Sequence, residues 1–222
     1  MKLLALPFVA LALIAARSDP APQPAIPINP PASVVADPAN RLTLELSNGG
    51  TVVIEMRPDA APNHVQRIQT LVRQGFYDGT IFHRVIPGFM AQGGDPTGTG
   101  EGGSKLPDLK AEFNSLPHLR GTVAAARAEP EDSANSQFYI MFAPKASLDH
   151  NYTVFGRVIS GMDVVDRIAP GEPPASPTKI VHASLGDGSA PPAKPAPAVQ
   201  TPAPPQSQPP AQEPEPETTP GG

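Results

Sequence analysis

The chain of 222 residues contains no cysteine and no tryptophan, and aromatic residues make up only 5% of it. The absence of cysteine excludes disulfide bonds, thiolate nucleophiles and cysteine-ligated metals. The five histidines show no spacing typical of metal ligands, so we expect neither a metal site nor a cofactor. The net charge is -5 and the lysines and arginines form no cluster, which argues against nucleic acid and anionic membranes as partners.

Proline, in contrast, is abundant, with 32 residues, roughly three times its usual share. The prolines concentrate in segments 20–38 and 191–222, which carry few large apolar side chains. Such segments bury too little surface to offset the entropy lost on ordering, so we expect both to be disordered or polyproline-like. The sequence thus predicts a signal peptide at 1–17, a Pro-rich linker at 18–40, one folded domain at 41–186 and a disordered tail at 187–222.

The first 17 residues have the pattern of a bacterial secretory signal, with basic Lys2, an apolar run at 3–16 and small residues before a polar break. We therefore expect an exported protein of the periplasm or cell envelope. Segment 13–16 resembles the end of a lipoprotein signal, but Arg17 stands where the lipid-accepting cysteine would be. Either the protein is soluble after export or Arg17 replaces a former anchor, and we expect no requirement for membrane lipid.

Alternating apolar and polar residues dominate the predicted domain. Segment 41–56 alternates on both sides of Asn48-Gly49-Gly50, which predicts a β-hairpin. Apolar residues at helical spacing predict a helix at 61–74, and a second short helix is predicted at 163–169. Six further strands are predicted at 80–86, 89–92, 122–126, 137–142, 153–158 and 179–185. Many short strands with few helices favour a closed or sandwiched antiparallel sheet, and closure into a barrel would leave no edge strand.

One apparent nucleotide motif fails on its context. Gly98 to Gly103 fits G-x-G-x-x-G by its letters, but no strand precedes it and Pro107 stands where a helix should begin. We therefore predict no dinucleotide site.

Three other stretches are more specific: FHRVIPGFMAQGGD at 82–95, ANSQFYIMF at 134–142 and LDHNYTVFGRV at 148–158. Taken singly, each is typical of an ordinary barrel strand with Phe and Met in the core. Taken in order, together with GTVAAARA at 121–128, they resemble the cyclophilin family of peptidyl-prolyl cis/trans isomerases over about 42–184. The resemblance implies an all-β dominated, closed eight-stranded antiparallel β-barrel capped by two α-helices.

The resemblance also implies the site residues. Arg84 matches the catalytic arginine, and Gln92 is expected beside it, orienting the guanidinium. The expected substrate-binding residues are Phe89, Met90, Ala126, Arg127, Gln137, Tyr139, Leu148 and Tyr152, among which Phe89, Met90, Tyr139 and Leu148 match the walls of the proline pocket. Ser147 stands where cyclosporin-binding members have tryptophan, and Arg127 replaces an asparagine. We therefore expect weak binding of that drug and an altered sequence preference, with catalysis kept.

The chemistry of isomerisation suits these residue types. Rotation about an X-Pro bond has a barrier of about 18–20 kcal/mol because the amide nitrogen shares its lone pair with the carbonyl. At the twisted transition state the nitrogen can accept a hydrogen bond, and a permanently charged guanidinium is a suitable donor. No proton is transferred, so we expect His83 to be structural, with a hydrogen bond inside the barrel.

These observations predict an isomerase that accelerates the folding of exported proteins and acts, as a monomer, on proline-containing peptides and unfolded protein clients. The alternative is a cyclophilin-like module that binds proline-containing segments, with incidental turnover. A third hypothesis, that the Pro-rich tail visits the protein's own pocket, competes with a role of the tails as spacers.

Overall fold

The computed structural model describes residues 25–186. The predicted signal peptide, the start of the predicted linker and the predicted tail therefore lie outside the described residues. The eight strands are β1 Arg41–Leu46, β2 Gly50–Met56, β3 Arg84–Ile86, β4 Met90–Gly93, β5 Thr122–Ala125, β6 Phe138–Met141, β7 Val154–Ser160 and β8 Ile180–Leu185. The α-helices are α1 Ala32–Ala36, α2 Pro62–Arg73 and α3 Met162–Val165, and single 3-10 turns occur at Pro38–Asn40 and Ala146–Leu148.

The strands form one curled antiparallel sheet in the order β3-β4-β6-β5-β7-β2-β1-β8. The hairpin predicted around Asn48 is confirmed, with Leu46 paired to Gly50 at its end. Strands β3 and β8 are the two edges, and within residues 25–186 no ladder joins them directly. The segments that precede them meet at an isolated bridge between Ile81 and Lys179. The strand-dominated antiparallel fold with few helices is thus confirmed.

The core lies between the sheet and α2. The predicted apolar face of this helix is confirmed, because Val65, Ile68, Leu71 and Val72 are all buried. They join the inward-facing residues of β1, β2 and β8 in the main hydrophobic cluster, and α2 packs against β8. No helix within residues 25–186 is both long and apolar enough to span a bilayer.

The second predicted helix is much shorter than expected. Helix α3 is a single turn that follows Gly161, whose φ of +87° favours glycine. A helix at 163–169 would continue to the residue before Pro170, where the proline ring disfavours helical backbone. Instead, the N–H of Ala169 is bound by the hydroxyl of Thr178.

Part of the predicted linker, residues 25–40, lies within the described chain, where it contains helix α1 and a 3-10 turn, so the predicted disorder is not confirmed there. We call residues 25–40 the N-terminal strap. Arg57, buried at 5% exposure, donates hydrogen bonds to the carbonyl oxygens of Pro27 at 2.7 Å and Ile28 at 3.0 Å. Composition did not reveal this contact, because Arg57, directly after β2, binds backbone carbonyl oxygens of the strap and not apolar side chains.

Candidate active site

The β3-β4 hairpin and strand β6 place the first site residues in one row. Arg84 pairs with Gln92 across the hairpin, and Gln92 pairs with Tyr139 on β6. The turn between β3 and β4 contains Gly88 at φ +72°, a conformation that glycine adopts without strain. This register brings a cation, an amide and an aromatic ring side by side.

The row forms one side of a pocket of about 160 Å³. Its lining residues are Arg84, Phe89, Met90, Gln92, Ala126, Arg127, Tyr139, Leu148 and Tyr152. Every site residue predicted from the sequence except Gln137 is therefore in this pocket. Met90 and Tyr139 are buried and belong to a small apolar cluster beneath it, against which Phe89, Leu148 and Tyr152 pack. Apolar walls flanked by polar and cationic side chains suit a small apolar ring that is attached to a polar backbone.

Arg84 is held by a residue that the sequence did not predict. Its Nε donates a hydrogen bond to Oε2 of Glu172 at 2.8 Å, and the two side chains are 41% and 50% exposed. The side-chain N–H of Gln92 donates to Oε1 of Gln137 at 2.9 Å instead. A guanidinium only donates hydrogen bonds, so Gln92 would have to orient it through its side-chain oxygen. Within residues 25–186 that oxygen accepts no hydrogen bond from Arg84, and the direct contact expected of Gln92 is not seen in this structure.

Gln137 lies in the wall of a neighbouring pocket of about 560 Å³, to which Gln92, Ala126 and Arg127 also contribute. Its Nε2 donates to the carbonyl oxygens of Gly100 and Gly102, both at 2.8 Å. The linked pair of glutamines thus separates the two pockets and ties β4 and β6 to the glycine-rich loop.

The glycine-rich loop at 95–102 is organised around the carboxylate of Asp95. Asp95 accepts hydrogen bonds from the backbone N–H groups of Thr97, Gly100 and Gly102 at 2.7, 2.6 and 3.1 Å. Burial alone would raise the pKa of Asp95, but these hydrogen bonds outweigh burial and lower that pKa to about 2. Asp95 is therefore a fixed anion that shapes the second pocket.

A buried hydrogen-bond chain supports Tyr139. Nε2 of His118 lies 3.0 Å from the Tyr139 hydroxyl, and Nδ1 lies 2.9 Å from Oδ1 of Asp149. The His118 side chain is fully buried, and burial lowers its pKa although Asp149 acts in the opposite direction. A neutral ring then donates from Nδ1 to the carboxylate and accepts from the phenol, whose own pKa is raised by burial. Sequence spacing gave no signal for His118.

The Arg127 side chain is held by nearby backbone carbonyl oxygens and by an aromatic ring. Its guanidinium donates to the carbonyl oxygens of Ala128, Glu129 and Asn151 and lies over the Tyr152 ring at 4.9 Å. A cation on an aromatic face is attractive, so Arg127 fixes the Tyr152 wall of the pocket around Arg84. The contribution of Arg127 and Ala126 to binding a peptide main chain stays a prediction.

His83 is buried, as expected of a structural residue, but the expected hydrogen bond is absent. Within residues 25–186 neither ring nitrogen has a hydrogen-bond partner. The ring lies close to Gly100, where an added Cβ atom would meet Cδ2 of His83 at 3.5 Å, an ordinary van der Waals contact. Burial lowers the pKa of His83, and Arg84 lowers it further while Asp95 opposes. The lowered pKa favours the neutral imidazole, which places no charge in this buried position.

In the described part of the chain, no group of three histidine or acidic side chains could hold a metal ion.

Comparisons with known proteins agree with this geometry. The profile of the family described as cyclophilin type peptidyl-prolyl cis-trans isomerase/CLD matches residues 41–185. A probable peptidyl-prolyl cis-trans isomerase of Brucella suis is 48% identical over 166 residues, which cover 68% of this chain and 84% of that protein. The peptidyl-prolyl cis-trans isomerase ppi1 of Schizosaccharomyces pombe is 42% identical over 143 residues, covering 60% and 92% of the two chains.

Solved structures show the same relationship. A cyclophilin from Hirschia baltica superposes with a TM-score of 0.63 at 32% identity, covering 67% of this chain and 74% of that chain. A cyclophilin type isomerase of Cryptosporidium parvum, crystallised in the presence of the dipeptide Ala-Pro, gives a TM-score of 0.61 at 27% identity, covering 65% and 98%. Fold, pocket and sequence thus agree, and the chain belongs to the cyclophilin-type peptidyl-prolyl cis/trans isomerase family.

Proposed function

We propose that this isomerase acts on proline-containing segments of exported proteins and that the pocket around Arg84 is its active site. The observation that carries the proposal is the position of the Arg84 guanidinium beside the apolar walls of a pocket of about 160 Å³. The apolar walls would hold the proline ring while the guanidinium reaches the amide nitrogen.

The guanidinium accounts for the rate. In the planar ground state the amide nitrogen is a poor hydrogen-bond acceptor, and it gains a localised lone pair only as the bond twists. A hydrogen bond from Arg84 would therefore strengthen at the transition state, which lowers the barrier without tightening the ground-state complex. Arginine stays charged at all working pH values, so this donor is always available.

Catalysis also requires that the substrate's proline ring be held while the acyl side of the bond turns, and the pocket walls would do this. Met90 and Phe89 provide apolar contact, and the methionine thioether adapts to the ring. Tyr139 is fixed from behind by His118, so the wall is preorganised. The relative from Cryptosporidium parvum was crystallised in the presence of Ala-Pro, which supports a proline-containing ligand for the corresponding pocket here.

The glutamine pair and the second pocket extend the site beyond the proline. The side-chain N–H of Gln92 donates a hydrogen bond to the side-chain oxygen of Gln137, and the second pocket lies beside this pair. A residue that flanks the substrate proline would enter this pocket. Unfolded segments would fit this arrangement because they can bind in an extended form.

Export is supported by the sequence of residues 1–17, which lie outside the described part of the chain. Uncatalysed isomerisation takes about 10–100 s, so an isomerase in the envelope would accelerate the folding of newly exported chains. Cell fractionation of the natural protein and of Arg17→Cys tests this: recovery of the natural protein in the soluble envelope fraction is expected, and retention in the cytoplasm would contradict it.

We propose further that the sheet closes into a barrel and that the protein is a monomer. Closure is supported by the hydrogen bonds from Phe82 to Thr178 at 3.0 Å and from Ile180 to Thr80 at 2.9 Å. Slow exchange of these two amide protons would be expected of a closed barrel, and exchange as fast as in the surface loops would contradict it. Sedimentation of the full chain would test the monomer.

Turnover distinguishes the enzyme from a proline-segment binding module. A protease-coupled or NMR exchange assay on an X-Pro peptide is expected to show catalysis by the full-length protein. Saturable peptide binding without any turnover would favour the binding module and overturn the proposed active-site chemistry.

A further inference from the structure

Glu172 lies 88 residues from Arg84 in the sequence, yet their side chains form a hydrogen-bonded ion pair of 2.8 Å. The backbone explains how this pair arises. Val85 and Gly171 exchange both of their backbone hydrogen bonds, at 2.8 and 3.0 Å, as in an antiparallel sheet pair. Arg84 and Glu172 flank this bridge, one on each chain segment, so the backbone brings their side chains together.

The loop that carries Glu172 is tightly folded. Gly171 has a φ of +139°, and a Cβ atom at this position would lie 2.6 Å from the Cα atom of Pro174. Pro173 and Pro174 follow Glu172 directly and restrict the backbone further. A carboxylate on a loop with so little freedom loses less entropy on forming its ion pair than one on a mobile loop.

The geometry of the pair leaves the rest of the guanidinium available. Glu172 engages Nε of Arg84, and within residues 25–186 the two terminal nitrogens make no hydrogen bond. An arginine has five N–H donors in one plane. Anchoring one of them fixes the plane while the other four stay free for a ligand in the pocket that Arg84 lines.

We propose that Glu172 is a positioning residue, which acts on catalysis through Arg84 without touching the substrate. This inference rests on the proposed active site. A long, 41% exposed arginine side chain samples several rotamers when it is not anchored, and a hydrogen bond to the twisted amide nitrogen requires one of them. Glu172 selects that orientation before the substrate binds, the task that the sequence had led us to expect of Gln92.

The test compares Glu172→Gln with the natural full-length protein. Because exposed ion pairs contribute modestly, we expect kcat/KM on an X-Pro peptide to fall by about 3- to 10-fold. The loss should lie in kcat, with KM nearly unchanged, since the apolar pocket is intact. Glu172→Asp, which keeps the charge on a shorter side chain, should recover part of the activity.

Asp166→Asn is the matched control. Asp166 forms an ion pair of 2.6 Å with Arg120 at similar exposure, 43% and 46%, but neither residue lines the pocket around Arg84. Loss of this ion pair should leave kcat/KM unchanged. An equal loss of activity in Asp166→Asn and Glu172→Gln would show a general effect of surface charge and would overturn the proposal.

Two further readouts separate positioning from a merely structural role. In the Arg84→Lys background, which lacks the Nε donor, Glu172→Gln should have little additional effect on activity. In the natural background, Glu172→Gln should shift the Nε–H NMR signal of Arg84, while Asp166→Asn should not. An unshifted signal, or unchanged or increased kcat/KM in Glu172→Gln, would overturn the proposal. A natural protein without isomerase activity would overturn the proposed function instead, even if the NMR shift occurred.

Discussion

Replacing Tyr139 by phenylalanine tests whether the buried chain from Asp149 through His118 stabilises the pocket wall. The substitution removes one hydroxyl and leaves Nε2 of the fully buried His118 ring without its partner at 3.0 Å. An unsatisfied buried polar group costs about 1–3 kcal/mol of unfolding free energy. In a domain of this size each kcal/mol lowers Tm by about 2–4 °C. The aromatic ring remains in place, so kcat/KM should change little.

Tyr152→Phe is the control for this prediction. Tyr152 lines the same pocket, but within residues 25–186 its hydroxyl makes no hydrogen bond, so we expect a change within about 0.5 kcal/mol. Urea unfolding, followed by circular dichroism, measures both variants. Replacing His118 by leucine should then cost less stability in Tyr139→Phe than in the natural chain. Equal stability of Tyr139→Phe and the natural chain would refute the role assigned to this hydrogen-bond chain.

Three further predictions concern charge and the strap. Burial lowers the folded-state pKa of His83 and His118, so the unfolded chain binds more protons below about pH 6.5. The free energy of unfolding should therefore fall from pH 7 to pH 5, and fall less in His83→Leu; a pH-independent stability would contradict this. Asp95→Ala leaves the N–H groups of its loop without their acceptor, so KM for a peptide that fills the second pocket should rise, and an unchanged KM would argue against that pocket. Arg57→Met removes the hydrogen-bond donor to two strap carbonyls and to Asp59, whose side chain is 21% exposed, and should cost about 1–3 kcal/mol in urea unfolding; no measurable loss would show that the strap is held by other contacts.

The parts of the fold that depend on residues close together in the sequence could be predicted from the sequence. Asn48-Gly49-Gly50 selects a hairpin through glycine's backbone freedom, and the apolar spacing of α2 identifies its buried face. The end of α3 could not be placed, because one turn of helix carries too little periodicity to locate a boundary.

The predicted pocket residues could be found because a signature carries them in order along the chain. Their supports could not, since they come from distant segments. His118 is 31 residues from Asp149 and 21 from Tyr139, and Glu172 is 88 residues from Arg84. Only the pairing of strands and loops brings such residues together, and no local pattern records that pairing.

The strap illustrates a different limit. Its composition matches that of disordered segments, yet Arg57 binds it through backbone carbonyl oxygens, which every sequence possesses. Side-chain composition therefore indicates whether a segment can bury apolar surface. It does not show whether a buried donor elsewhere in the chain, such as Arg57, can bind the segment's backbone carbonyl oxygens.

The most direct test of the account is the activity of Arg84→Ala on an X-Pro peptide, measured together with its unfolding curve. Loss of one donor that acts at the transition state should lower kcat/KM by about 10²–10³-fold. The fold should persist, because the Arg84 side chain is 41% exposed and its ion pair lies at the surface. A folded Arg84→Ala protein with near-natural kcat/KM would contradict the central claim that this guanidinium drives the isomerisation.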